Sequence, residues 1–60
     1  MPIIKIDWIE GRTTEQKAQV VKEFTDTIVN VAGAAPEKVT IIINDHPRDN
    51  LANSGKLLSD

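Results

Sequence analysis

One amphipathic stretch, TTEQKAQVVKEFTDTIVNVAG at 13–33, lies between two isoleucine-rich runs, IIKIDWI at 3–9 and VTIIIN at 39–44. That order constrains the fold more than any other feature of the chain. In the first run Ile4, Ile6 and Trp8 alternate with Ile3, Lys5, Asp7 and Ile9, a period of two that predicts a strand rich in β-branched and aromatic residues. In the middle stretch Val20, Val21, Phe24, Ile28, Val31 and Ala32 recur at three- and four-residue spacing, which predicts a helix with one apolar stripe. Thr13 is placed to cap that helix, with Gln16 three residues on to complete a capping box and Glu15 in the positive first turn. Gly33 is placed to end it in the left-handed conformation. Pro36 in AAPEK forbids continuation, and VTIIIN supplies a second strand with Val39, Ile41 and Ile43 on one face and Ile42 on the other. Strand, helix, strand predicts a right-handed βαβ crossover with parallel strands. The remainder, DHPRDNLANSGKLLSD, is polar and turn-rich and predicts only short irregular or hairpin-like structure.

A two-stranded sheet covered by one helix is not self-sufficient. A chain of 60 residues buries only about 60% of its unfolded surface, and such small folds rely on disulfides, a structural metal or oligomerisation. There are no cysteines, so disulfides and thiolate metal sites are excluded, and with only one histidine, His46, a structural zinc is not expected. The open sheet edge and the isoleucines on the uncovered face therefore predict that the chain works as an oligomer, a dimer at least.

Several function classes drop out on composition. The net charge of −2 with both signs interspersed offers no basic stripe for nucleic acid, and Trp8 and Phe24 are the only aromatics available for base stacking. No apolar run reaches the roughly 20 residues that span a bilayer, and the N-terminus lacks a secretory pattern, so a soluble cytoplasmic protein with no membrane partner is expected. His46, Asp45 and Asp49 could suggest a metal site, but three such residues in a turn-rich segment are more often plain surface groups.

Proline at position 2 has two readings. As a residue without an N–H it suits the first place in a strand. Alternatively, Met1 precedes a small residue and is open to enzymatic removal, which would leave Pro2 with a free secondary amine at the end of a rigid element. Arg12, in the turn before the helix, is by itself an ordinary solvated arginine.

Taken together, M-P at the start, E-G-R at 10–12, T-x-E-Q-K opening the helix, A-P before the second strand and G-K-x-L-S-D at the end resemble the 4-oxalocrotonate tautomerase family in its small bacterial members. The resemblance spans essentially the whole chain, as one tautomerase-like domain over 1–60. It implies an α+β fold, with β-α-β protomers paired into a four-stranded sheet and three such dimers forming a homohexamer. It also implies a cofactor-independent enol–keto tautomerase acting on small carboxylated enols of the 2-hydroxymuconate type. Pro2, freed of Met1, is then the general base, and Arg12 binds a substrate carboxylate from a neighbouring protomer. The main chain near Ile9 and the side chain of Leu51 are further substrate contacts by position.

Two departures from the family pattern stand out. Thr40 occupies the place of a second arginine on the second strand, and Leu51 that of a pocket-lining phenylalanine. Arg48 and Lys56 either replace the missing arginine or are simple surface charges.

The chemistry suits these residue types. A base that works near neutral pH needs a matching pKa, and an α-amino group, at about 7.7–8.0, is far closer than a lysine at about 10.4. Proline's more basic amine would be tuned downward by apolar neighbours such as Ile3, Trp8 and Leu51 and by the cationic Arg12. The arginine fork matches a carboxylate with two parallel hydrogen bonds. Two alternatives stay open: a same-fold hydratase, dehalogenase or decarboxylase, and a non-catalytic oligomeric module.

Overall fold

A computed structural model describes residues 1–60. Its element order is strand β1 (Ile3–Ile9), helix α1 (Thr14–Ala32), a short 3-10 turn (Pro36–Lys38), strand β2 (Thr40–His46), a second 3-10 turn (Arg48–Asn50), and two-residue strands β3 (Ala52–Asn53) and β4 (Lys56–Leu57).

Helix α1 begins and ends where local chemistry dictates. Thr13 Oγ1 accepts from the Gln16 amide at 3.1 Å while Gln16 Oε1 accepts from the Thr13 amide at 2.9 Å, a complete capping box. At the other end Gly33 takes φ 76° and returns its N–H to the Val29 carbonyl at 3.2 Å. The outer face carries the i,i+4 pairs Gln19–Glu23 and Lys22–Asp26.

β1 and β2 pair in parallel, with Ile3 opposite Thr40 and Ile9 opposite His46. The expected second strand at 39–44 is thus shifted and lengthened. Asp45 and His46 continue it because Trp8 and Asp7 across the ladder supply each with a polar partner. Alternation along both strands sorts the faces. Ile4, Ile6 and Trp8 with Ile41 and Ile43 are half-buried on the face that Lys17 of α1 reaches. Ile3 at 60% exposure and Ile42 at 40% stand on the opposite face, which the helix does not cover.

The helical stripe divides as well. Val20, Val21, Ile28 and Val29 are half-buried, whereas Phe24 and Val31 remain 44% and 81% exposed. The stripe is therefore wider than a single sheet can cover. The C-terminal hairpin β3–β4 turns through Ser54 and Gly55, both at positive φ.

No residue of the isolated chain is fully buried. The molecule measures 42 × 23 × 14 Å, and its radius of gyration of 14.5 Å exceeds the about 10 Å of a compact chain this long. One helix on one sheet, 14 Å thick, leaves the apolar surface that a small fold without staples must cover through association.

Candidate active site

Pro2 sits immediately before β1, half-buried, with its carbonyl accepting from the Thr40 amide at 3.0 Å. That bond fastens the start of β1 to the start of β2. Met1 before it is 83% exposed. Thr40 lies at this same end, on an exposed position facing Ile3 in the ladder.

At the far end of β1 the chain reverses through Gly11, whose φ of 129° favours glycine. The reversal lays Arg12 over Trp8, with the guanidinium carbon 4.8 Å from the ring centroid, and Arg12 Nη1 donates to the Ile9 carbonyl at 2.6 Å. Trp8 Nε1 in turn donates to Asp45 Oδ1 at 2.5 Å, and Lys17 Nζ donates to Asp45 Oδ2 at 2.5 Å. These two bonds, the Lys17 bond first, hold the Asp45 carboxyl below the usual carboxylate range against the opposing effect of burial.

Ile9 has a free side. The ladder bonds at either end, Thr40 N to Pro2 O and Glu10 N to His46 O, place even-numbered positions of β1 in the ladder. Odd-numbered residues, Ile9 among them, therefore aim N–H and C=O at the open edge of β1.

Leu51 follows the Arg48–Asn50 turn and is half-buried, its carbonyl accepting from the Leu58 amide at 2.9 Å. It comes in sequence after the C-terminal end of β2, where His46 pairs with Ile9. Seven strand residues at about 3.3 Å each separate the Ile9 end of the sheet from Pro2 by roughly 20 Å. One chain brings Ile9 and Arg12 together and holds Pro2 apart from them, and it forms no cavity of its own. Arg48 and Lys56 are both exposed in the C-terminal segment.

His46, Asp45 and Asp49 do not converge. Successive strand residues face opposite ways, so Asp45 joins Trp8 and Lys17 while His46 Nε2 meets Asp7 Oδ1 at 2.8 Å on the other face. Sequence reasoning missed the Trp8–Asp45–Lys17 group. The available signal was the need of a half-buried indole N–H for a partner, but finding that partner required the strand register.

Fold and residues agree with known proteins. A family model described as "Tautomerase enzyme" matches residues 2–60. The 2-hydroxymuconate tautomerase of Bacillus subtilis is 38% identical over 60 residues, covering 100% of this chain and 97% of the relative. A crystal structure described as a homologue of 4-oxalocrotonate tautomerase superposes with a TM-score of 0.93 at 37% identity, over 98% of this chain and 97% of that one. A 4-oxalocrotonate tautomerase of Chloroflexus aurantiacus, described as a heterohexamer, gives 0.91 at 25% identity, over 100% and 97%. The β-α-β protomer is thus a fold shared with proteins named as tautomerases, which are isomerases. The chain belongs to the tautomerase family.

Proposed function

We propose that this chain is an enol–keto tautomerase of small carboxylated enols, with 2-hydroxymuconate as the model substrate, and that it works without a cofactor. Met1 is removed and the Pro2 nitrogen becomes the base. It takes the hydroxyl proton of the enol, and the oxygen's electron pair forms the C=O bond as the conjugated π electrons shift toward carbon. The protonated proline then returns the proton to that carbon, so the reaction is a net isomerisation. Arg12 grips a substrate carboxylate, the Ile9 amide is a nearby donor, and Leu51 lines the apolar side.

The observation that carries this reading is the placement of Pro2 and Arg12 at opposite ends of β1. A working site then joins the Pro2 of one protomer to the Arg12 of another, which makes assembly a condition of activity. The heavily exposed apolar surface of the single chain supports association, and the heterohexameric relative supports a hexamer of three dimers.

The test is ultraviolet spectroscopy of 2-hydroxymuconate ketonisation, paired with intact mass. The mature protein should lack Met1, and Pro2→Ala should lower kcat by about 10²–10⁴-fold, the usual contribution of a positioned base. Full activity in Pro2→Ala, or in protein that retains Met1, would refute the base assignment.

A further inference from the structure

The group around Trp8 has an arrangement that nothing in the proposed reaction has yet used. Arg12 is the one cation of the turn, and no carboxylate of its own chain pairs with it. Asp45 feels the Arg12 charge without a hydrogen bond or ion pair between them. Each Asp45 oxygen already accepts one bond, Oδ1 from the Trp8 indole and Oδ2 from Lys17. Arg12 spends only Nη1, on the Ile9 carbonyl, so the rest of its fork is free.

We propose that Trp8 and Asp45 are positioning residues for Arg12 and thereby set the specificity for carboxylated substrates. Asp45 locks the plane of the indole, because a hydrogen bond from the ring nitrogen to a carboxylate pinned by Lys17 leaves the ring little freedom to turn. The locked ring offers a flat, electron-rich face on which the guanidinium lies, and the Ile9 carbonyl fixes its rotation about that stack. Lys17 has a second effect: its ammonium offsets the Asp45 charge and so weakens the pull of Asp45 on Arg12, which leaves the fork open to substrate. The ligand class defined by this geometry is a planar carboxylate approaching the free edge of the guanidinium. The inference rests on the reading of Arg12 as the carboxylate anchor.

The experiment compares 2-hydroxymuconate with its dimethyl ester for wild type, Trp8→Phe, Trp8→Leu, Asp45→Asn and Arg12→Ala, singly and with Arg12→Ala as background. Trp8→Leu should raise KM for the diacid roughly two- to fivefold, the size of an exposed cation–π contact, with a smaller change in kcat. Trp8→Phe keeps a ring without the nitrogen anchor, as Asp45→Asn keeps a side chain of the same shape without the charge, and both should fall between. None should move KM for the ester, and none should add to the loss caused by Arg12→Ala. An equal rise in KM for the ester, or an undiminished effect in the Arg12→Ala background, would overturn the positioning role. Should Arg12→Ala leave KM for the diacid unchanged, the anchor reading itself fails. Should Arg12→Ala raise it while Trp8 and Asp45 variants do not, only the present inference fails. A Trp8→Leu chain that does not fold leaves Trp8→Phe and Asp45→Asn to decide.

Discussion

Asp7 and His46 meet across the two strands on the face away from the helix, with His46 Nε2 2.8 Å from Asp7 Oδ1. The contact is diagonal, since Asp7 stands opposite Asn44 and Ile9 opposite His46 in the ladder. It joins the two elements at the end of the sheet where Arg12 turns back. The His46 hydrogen bond is also the largest influence holding the Asp7 carboxyl below its ordinary value.

His46→Ala should therefore let Asp7 titrate closer to the ordinary aspartate value of about 3.9. A carboxyl whose folded pKa lies below its unfolded one contributes stability above the unfolded value and loses it as pH falls through the folded value. The variant should lack that contribution and begin acid unfolding at higher pH. Carboxyl-carbon NMR of Asp7 reads the first effect and circular dichroism the second. An unchanged Asp7 titration would show that the contact does not persist in solution.

Asp45 gives a parallel expectation on the helix side. Lys17 and then Trp8 hold its carboxyl low, so the tie between α1 and β2 is present above the unfolded aspartate value and lost as pH falls through the lower folded one. Trp8 is the only tryptophan, and its fluorescence should change over that acid range before the helix melts. Asp45→Asn should abolish the early change. A single transition in both proteins, coincident with loss of helix, would contradict this.

These two contacts mark what could be read from the residues and what could not. The helix was legible because its signals are local: Thr13 and Gln16 lie three residues apart, Gly33 ends the run, and the apolar positions repeat between them. The first strand was legible from alternation alone, and its seven-residue length already implies that Pro2 and Arg12 lie far apart. The end of β2 was not, because Asn44, Asp45 and His46 have the composition of a turn. They remain in the strand through partners on β1 and α1, and sequence spacing of 28 to 39 residues hides such partners. Phe24 and Val31 fit the apolar period, yet the single sheet does not reach them. Periodicity records which residues are to be covered and is silent about which chain covers them.

Removing the helix cap has a defined cost. Thr13→Ala leaves the Gln16 amide without its acceptor and the Gln16 side chain without a reciprocal arrangement, and should destabilise the protein by about 1 kcal/mol per chain. Because an assembled protein melts in a concentration-dependent way, the comparison belongs at one fixed protein concentration in urea. Gln16→Ala added to Thr13→Ala should cost little more, since both bonds belong to one box. Fully additive losses would mean that the two bonds act independently.

The separation of Pro2 from Arg12 makes a sharper demand than any single substitution. If one catalytic site takes its proline from one protomer and its arginine from another, Pro2→Ala and Arg12→Ala chains are each deficient alone yet complementary together. Refolded from a one-to-one mixture, they should assemble at random, and about a quarter of the sites would then combine an intact Pro2 with an intact Arg12. Activity on 2-hydroxymuconate should rise to about that fraction of wild type, far above either parent. Each parent refolded alone at the same total concentration is the control, and light scattering establishes that the mixed chains reassemble to the wild-type size. A reassembled mixture no more active than the average of its parents would mean that proline and arginine do not cooperate between chains, because a site drawn from one chain could never contain both intact residues.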